Sequence, residues 1–287
     1  MNNNKNITLR IKGGIGNQLF IFSFLIYLQK KYKLNIYIDF KSGYQSLLGG
    51  NKFKQKFLLN KLNYFFLYQK DKYCFLGFFG KVKRFLVKNI IFFSNFFNID
   101  YLDENENTDI VYLIKKSNKK NIYIDGYFQD IKYVNYSNFY INKSLTDLSL
   151  STQSIFSKKK FFNLENTLCI LFTNYIHQDL KEKNIYIQRL KNILLYNKKF
   201  INFFIFSSQE PFFLKKLLPK KKYKFFKPNN KSDSLNNLLL ISNFKYYITD
   251  NSTYHWWGSW LSRNKKKIIF IPEDFNSKIN YPNCKLS

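Results

Sequence analysis

The sequence contains no alanine and only four arginines in 287 residues. Acidic residues are scarce as well, because 18 Asp and Glu stand against 47 Lys and Arg and leave a formal charge of +29. Lys, Asn, Ile, Phe and Tyr, which have AT-rich codons, take the place of the missing types. We therefore attribute most of the charge to an AT-biased genome, and do not infer nucleic-acid binding from it alone.

Cysteine is equally rare, and the three cysteines Cys74, Cys169 and Cys284 have neither metal-ligand spacing nor an even number for disulfides. This favours a reducing compartment, and we expect a cytoplasmic protein. The apolar run Leu19–Leu28 is followed by Gln29-Lys30-Lys31 instead of small cleavage-site residues, so it does not fit a signal peptide. No uncharged apolar stretch reaches the roughly 18–20 residues of a transmembrane helix.

With 45% hydrophobic and 20% aromatic residues, the chain has ample apolar surface for a core, and disorder is excluded. Short apolar runs alternate with longer amphipathic ones, as in a parallel sheet with crossover helices. In the first half this pattern predicts strands at Thr8–Lys12, Asn35–Phe40 and Asn121–Asp125, a glycine turn at Gly13–Gly16 and a helix at Asn17–Tyr32.

A second βα series follows a polar stretch at 141–166, where we place the boundary between an N-terminal α/β domain (1–150) and a C-terminal one (151–287). Two such halves predict an α/β fold of two Rossmann-like domains facing a cleft. The predicted elements of the second half are strands at Thr167–Phe172, Asn202–Phe206, Tyr246–Thr249 and Ile268–Ile271, and helices at Asn184–Tyr196, Glu210–Leu218, Ser234–Ser242 and Ser252–Ser262.

The glycine turn lies between a predicted strand and a predicted helix, and reads Gly13-Gly14-Ile15-Gly16-Asn17-Gln18. Free backbone N–H groups and the positive end of the helix dipole favour a phosphate at such a turn. The turn lacks the Lys-Ser/Thr of a P-loop, and Leu19 replaces the third glycine of the dinucleotide fingerprint. Taken alone, it is weak evidence.

Four segments in order resemble glycosyltransferase family 11, the α-1,2-fucosyltransferases of bacterial surface polysaccharides. The resemblance extends over nearly the whole chain. The segments are Gly13–Phe20 (GGIGNQLF), Asp125–Tyr133 (DGYFQDIKY), Ile205–Ser208 (IFSS) and Asn251–Leu261 (NSTYHWWGSWL).

The resemblance implies a GT-B-like fold, a nucleotide-sugar donor such as GDP-fucose, no metal cofactor, and inverting transfer in one step to a polysaccharide or lipid-linked glycan. The acceptor would lie on the N-terminal side, and the glycine turn and the Asn-Ser helix start would close around the same sugar-bound diphosphate. Peripheral contact with an anionic inner membrane is a further expectation, and nucleic acid is not an expected partner. The candidate donor-binding residues are Gly13, Gly14, Gly16, Asn17, Gln18, Ser207, Ser208, Asn237, Asn251 and Ser252.

The sequence departs from the family at its His-x-Arg-Arg-Gly-Asp-Tyr motif, because the corresponding stretch, 172–178, has neither arginine. These arginines are expected to hold the diphosphate, and a family Asp is replaced by Asn237. Three explanations stay open. The donor differs from GDP-fucose, lysines such as Lys12 or Lys181 supply the charge, or the chain is an impaired relative.

An inverting transfer needs a base for the acceptor hydroxyl proton. The candidates near the altered motif are His177, Asp179 and Glu182, followed more distantly by Asp39, Glu210 and Asp250. His255 and the three tryptophans of the last helix are expected to pack in the core, although one tryptophan could wall the donor pocket.

Two other function classes remain as alternatives. One is a non-catalytic family member that acts as a scaffold. The other is a basic protein that binds nucleic acid or a membrane surface, for which a steep salt dependence would be expected.

Overall fold

The computed structural model describes residues 5–44, 56–70, 73–104, 109–157, 166–173, 179–196, 200, 202–210, 212–218, 223–228, 234–273, 277–279 and 284–286. The chain divides into two compact units, Met1–Ser144 (unit 1) and Leu145–Ser287 (unit 2). The division falls inside a helix that continues through much of the polar stretch in which we expected the boundary. None of the described helices combines the length and the apolar character needed to cross a bilayer.

Unit 1 contains a five-stranded, all-parallel sheet in the order β3-β2-β1-β5-β4. Its strands are β1 (Asn6–Arg10), β2 (Ile36–Asp39), β3 (Leu67–Tyr68), β4 (Ile99–Asp103) and β5 (Asn121–Asp125). Its helices are α1 (Ile15–Tyr32), α2 (Lys41–Tyr44), α3 (Gly77–Asn89), α4 (Ile91–Phe96), α5 (Ile110–Lys116) and the first half of α6 (Ile131–Ser157), with a 3-10 turn at Leu59–Lys61.

Helix α1 is the buried centre of unit 1. Its apolar residues surround the helix axis instead of forming one stripe, and a helix of this kind is stable only when it is covered on most sides. The run that superficially resembles a signal peptide is therefore core. The buried apolar side chains of this run are Leu19, Phe20, Ile21, Phe22, Phe24, Leu25, Ile26 and Leu28.

Unit 2 contains a six-stranded, all-parallel sheet in the order β11-β10-β9-β6-β7-β8. Its strands are β6 (Thr167–Leu171), β7 (Asn202–Phe206), β8 (Tyr223–Phe226), β9 (Tyr246–Ile248), β10 (Ile268–Ile271) and β11 (Cys284–Leu286). Its helices are α7 (Leu180–Tyr196), α8 (Phe212–Lys215), α9 (Ser234–Ile241) and α10 (Thr253–Trp260), with a 3-10 turn at Ser277–Ile279. The two parallel sheets with their crossover helices confirm the predicted α/β class.

The tryptophans of α10 lie in the core of unit 2, as predicted. Trp256 and Trp257 are fully buried and Trp260 nearly so. The Trp256 indole donates its Nε1–H to the carbonyl of Ile279 at 3.0 Å, which satisfies the polar atom of a ring in an apolar environment. The rings of Trp256 and Trp260 stack with centroids 5.9 Å apart, and Trp257 packs edge-on against both. The three tryptophans therefore fix α10 against the rest of unit 2.

Helices α9 and α10 pack closely against each other at Gly258. A Cβ atom at this position would lie 2.6 Å from Ile241 Cγ2 and 3.0 Å from Ile241 Cβ. Both atoms belong to a buried, β-branched side chain that has little freedom to move. Glycine is therefore required at this contact, although it lowers helix propensity.

We predict that Gly258→Ala destabilises unit 2 by about 1–2 kcal/mol, because overpacking outweighs the gain of about 1 kcal/mol in helix propensity. Urea unfolding measures the difference. In an Ile241→Ala background the closest crowding atom, Cγ2, is gone and only Cβ remains, so the same change is expected to cost much less or to be neutral. An equal effect of Gly258→Ala in both backgrounds would show that crowding by Ile241 is not the cause.

Candidate functional site

In unit 2 the chain reverses its direction of sheet growth between β6 and β9. It adds β7 and β8 on one side of β6 and then returns to place β9 on the other side. The carboxyl ends of β6 and β9 therefore flank the crevice in which open parallel sheets bind ligands.

The carboxylate of Asp250, directly after β9, joins the two sides of this crevice. Its Oδ2 accepts the backbone N–H of Thr173, after β6, at 2.7 Å. Its Oδ1 lies 2.6 Å from His255 Nδ1 of α10. Burial raises the pKa of Asp250, but the interaction with His255 and the Thr173 hydrogen bonds outweigh it, so the pKa lies below its ordinary value. Asp250 is thus an ionised, buried link between two strand ends and a helix.

His255 is only 3% exposed, so in this structure it orients its neighbours and does not reach a ligand. Its ring also lies edge-on to Phe206 at the end of β7, with centroids 6.1 Å apart. The expectation that His255 packs and hydrogen-bonds is confirmed. This contact also joins two of the four family-like segments, since Phe206 belongs to the third and His255 to the fourth.

Helix α7 supports the crevice from below through two buried side chains. Arg189 donates from Nη1 to the carbonyl of Thr249 at 3.1 Å and from Nη2 to that of Phe270 at 3.3 Å. The Tyr186 hydroxyl lies 3.0 Å from the carbonyl oxygen of Leu171 and 3.3 Å from that of Ile248. These bonds hold the carboxyl ends of β6, β9 and β10 in register.

The amino terminus of α10 opens at the same crevice. Ser252 occupies the N-cap position, but its side chain makes no capping hydrogen bond. Asn251, which precedes it, is exposed, and Ser252 is half-buried. An uncapped helix start presents N–H donors and a positive dipole end, which together favour an anion.

The remaining predicted donor residues of unit 2 lie on neighbouring elements. Ser207 is buried at the end of β7, where its N–H donates to the carbonyl of Phe226 at 3.2 Å, and Ser208 is half-buried. Asn237 is 8% exposed on α9, the helix that packs against α10.

Of the three predicted bases, His177 lies outside the described residues. Asp179 precedes α7, and its Oδ1 accepts the backbone N–H groups of Lys181 at 2.9 Å and Glu182 at 3.1 Å. This is helix capping, so one oxygen of Asp179 already has a structural role. Glu182 is half-buried in the first turn of α7.

In unit 1 the glycine turn follows β1 as predicted. Gly13 has φ +77°, a conformation that favours glycine, and an added Cβ would lie 2.9 Å from Asn17 Nδ2. Gly14 is extended and precedes α1, which begins at Ile15, with Gly16 buried in the first turn. Gln129 donates to Asn17 Oδ1 at 3.2 Å, so the first and second family-like segments also touch.

The side chain of Gln18 serves the turn itself. It is fully buried, and its Nε2 donates to the carbonyls of Gly13 at 3.0 Å and Lys56 at 2.8 Å. Its Oε1 accepts the N–H of Leu58 at 2.9 Å. We expected Gln18 to bind the donor, but these bonds leave its amide occupied within unit 1.

A buried ionic cluster, which sequence reasoning missed, lies beside the turn. Asp125, at the end of β5, accepts from Arg10 Nη1 at 2.8 Å and from the Tyr101 hydroxyl at 2.6 Å, and its Oδ1 lies 2.6 Å from Lys12 Nζ. Burial raises the pKa of Asp125, but Arg10 and Lys12 outweigh it and lower the pKa to about 2. The charge of Lys12, which we considered for a diphosphate, is thus paired within unit 1.

The repeat Asn-Ile-Tyr-Ile-Asp, at residues 35–39 and 121–125, was the available signal for this cluster. It places Asp39 and Asp125 at the ends of the two strands that flank β1. Asp39 accepts from the Ser42 hydroxyl at 2.6 Å, and Arg10 Nη2 donates to the carbonyl of Ser42 at 3.0 Å. Arg10 therefore connects both strand ends.

A cavity of about 360 Å³ opens next to the cluster. Four of its lining side chains are cationic and one, Asp125, is anionic. Among the described residues, Lys81 and Arg84 have no ion-pair partner, whereas Lys88 pairs with Asp103. The lining residues are Arg10, Lys81, Arg84, Phe85, Lys88, Asn89, Tyr101 and Asp125. In the part of the chain that the structure describes, no group of three His, Cys, Asp or Glu could hold a metal ion.

No protein-family model and no curated protein matches this chain, but solved structures do. A variant of FUT1 from Arabidopsis thaliana in complex with GDP matches at 10% identity with a TM-score of 0.54, over 96% of this chain and 72% of that one. The fucosyltransferase NodZ from Bradyrhizobium matches at 10% identity with a TM-score of 0.50, over 88% of this chain and 92% of NodZ. The chain has the fold of these fucosyltransferases. At this identity the likeness concerns the fold, and family 11 membership stays a resemblance.

We predict that Asp125→Asn lowers the stability at pH 7 by about 2 kcal/mol, because a pKa depressed to about 2 from 3.8 favours the folded state by about 1.4 kcal/mol per unit. This contribution is complete above about pH 4 and disappears as the pH falls through about 2. Urea unfolding of both proteins between pH 7 and pH 2.5 measures the difference.

The control is Asp130→Asn, which removes a partly exposed ion pair with Lys132 and should cost less than about 1 kcal/mol at pH 7. A stability difference between wild type and Asp125→Asn that stays constant down to pH 2.5 would contradict the depressed pKa.

Proposed function

We propose that this chain is a glycosyltransferase that takes a sugar from a nucleotide-sugar donor, with GDP-fucose as the donor. The observation that carries the proposal is the uncapped start of α10 at the β6/β9 crevice. Two further observations support the proposal. The chain shares its fold with a fucosyltransferase structure in complex with GDP, and its four family-like segments contact one another in pairs.

In the proposed donor site, N–H groups at the start of α10 hold the diphosphate, and Asn251 and Ser252 add side-chain donors. Ser207, Ser208 and Asn237 lie on elements that contact or neighbour α10 and complete the donor side. Hydrogen-bond donors at the departing diphosphate stabilise the charge that develops there, without requiring a metal ion.

In the proposed reaction the acceptor hydroxyl attacks the anomeric carbon, and the bond from this carbon to the diphosphate oxygen breaks with inversion. The hydroxyl proton goes to a base. His177, Asp179 and Glu182 remain our candidates. The proposed acceptor is a surface polysaccharide or lipid-linked glycan, with α-1,2 linkage as the resemblance implies, and the protein would act in the cytoplasm at the inner membrane.

One sequence observation favours a second candidate, a nucleotide-binding scaffold without turnover. The arginines that the family motif would place after β6 are missing, and an Arg–phosphate contact is comparable to an oxyanion-hole donor, worth about 10²–10³ in rate. In this alternative the chain still binds the nucleotide at the proposed donor site but does not transfer the sugar.

We predict that GDP and GDP-fucose, at about 100 times Kd, stabilise the protein by about 2.7 kcal/mol, a shift in Tm of several degrees, while UDP and CDP shift it less. Thermal unfolding with each nucleotide measures the shift. Release of GDP from GDP-fucose in the presence of glycan acceptors then distinguishes the transferase from the scaffold. A chain that responds to no nucleotide would refute both.

Ser252→Ala tests the position of the site. Because the Ser252 side chain makes no capping bond, the change should alter stability by less than about 0.5 kcal/mol while weakening GDP binding about tenfold. The matched control is Ser242→Ala, whose hydroxyl donates to the carbonyl of Leu239 at 2.9 Å at the end of α9. If both variants bind GDP like the wild type, the diphosphate does not lie at Ser252.

A further inference from the structure

Helices α3 and α4 of unit 1 carry an unusual density of exposed apolar side chains. Phe79 is 86% exposed and Ile91 is 79% exposed. Large apolar side chains clustered in this way on a protein surface mark a contact site. The exposed large apolar residues of the two helices and the residue between them are Phe78, Phe79, Val82, Phe85, Ile90, Ile91, Phe92 and Phe96.

The charge of the same segment has one sign. The sequence from 72 to 99 contains no Asp or Glu. On α3, Phe78, Val82 and Phe85 recur at spacings of four and three, which places them on one helix face. A row of basic side chains, also spaced by three and four residues, runs beside this apolar row. Its members are Lys81, Arg84 and Lys88.

The basic row of α3 also lines the cationic cavity of unit 1. Its three side chains line this cavity of about 360 Å³ together with Arg10. Lys81 and Arg84 are the two lining cations without an ion-pair partner among the described residues. Phe85 both lines the cavity and is exposed, so the apolar face and the cavity share a border.

We propose that α3 and α4 form a membrane-docking face, which seats its aromatic side chains in the surface of an anionic bilayer while the cavity receives the phosphate of a lipid head group. Apolar side chains beside Lys and Arg are the composition of helices that lie in the membrane interface. Arg and Lys in a partly enclosed cavity are suited to a phosphate, and each cation near an anionic surface adds to the attraction.

Charge favours a bilayer over a second copy of this chain as the occupant. Two copies that met through this face would oppose Lys81 and Arg84, unpaired among the described residues, with the same cations, with no acidic residue on α3 or α4 to compensate. An anionic bilayer neutralises the basic row and covers the apolar row in a single contact.

Co-sedimentation with vesicles tests the proposal. We expect the full chain to bind phosphatidylcholine vesicles that contain about one third phosphatidylglycerol, and to bind pure phosphatidylcholine far more weakly. Phe78→Ser combined with Phe79→Ser should weaken binding at least tenfold, because both rings lose their place in the interface. Lys81→Gln combined with Arg84→Gln should weaken it about 30-fold.

Matched controls separate this face from the overall charge of +29. Phe139→Ser removes an exposed aromatic ring on α6, and Lys143→Gln with Lys191→Gln removes two exposed cations elsewhere. Each control should bind vesicles within about threefold of the wild type. The docking face is refuted if Lys143→Gln with Lys191→Gln loses as much vesicle affinity as Lys81→Gln with Arg84→Gln. It is also refuted if the Phe78/Phe79 variant binds vesicles like the wild type.

Two further binding experiments identify what the face binds. In vesicles where oleate replaces phosphatidylglycerol at equal charge, the Lys81/Arg84 substitutions should weaken binding less than they do with phosphatidylglycerol. The same loss of affinity with both lipids would refute the phosphate site. If single-stranded RNA binds more tightly than the vesicles and also requires Phe78 and Phe79, the face binds nucleic acid and the bilayer is refuted.

The proposal is independent of the transferase function. Failure to bind vesicles with an intact response to GDP would refute only the docking face, and the reverse result would refute only the donor site.

Discussion

A buried carboxylate at the switch point of each parallel sheet is the interaction on which both units depend. In each unit the first strand, β1 or β6, lies beside a strand that is added later, β5 or β9. In each unit an aspartate stands at the end of that later strand, Asp125 in unit 1 and Asp250 in unit 2, and a basic partner offsets the free energy of burying its charge. The two switch points therefore have the same electrostatic foundation.

Two of the four arginines make contacts that lysine could not replace. Of the 47 basic residues only four are arginine, and three of these serve the sites described above. Arg189 directs separate guanidinium nitrogens to carbonyls at two strand ends, and Arg10 directs them to Asp125 at the end of β5 and to the Ser42 carbonyl on α2. Arg84 lines the cavity. A lysine ammonium is a point charge and lacks the planar fork that joins two fixed acceptors. In a composition that favours lysine, Arg10 and Arg189 therefore mark structural junctions.

Much of the fold could be predicted from local pattern. The strands Asn121–Asp125, Asn202–Phe206 and Ile268–Ile271 begin and end at the predicted residues, because turn residues bound each apolar run. The structure of the segment from 77 to 103 could not be predicted, since its phenylalanines follow neither period clearly and five of the seven face solvent. The pairing of Asp250 with Thr173 and His255 also escapes sequence reasoning, because it depends on which strands become neighbours in the sheet.

The location of unpaired charge is more informative than its total. A charge of +29 produces a diffuse field that salt screens within about 8–10 Å, and it attracts every polyanion similarly. A cation with a carboxylate partner, such as Lys12 or Lys88, adds little to that field. Lys81 and Arg84 differ, because they share a cavity and lack such a partner among the described residues. Selective attraction requires this combination of enclosure and uncompensated charge, which an AT-biased composition does not create by itself.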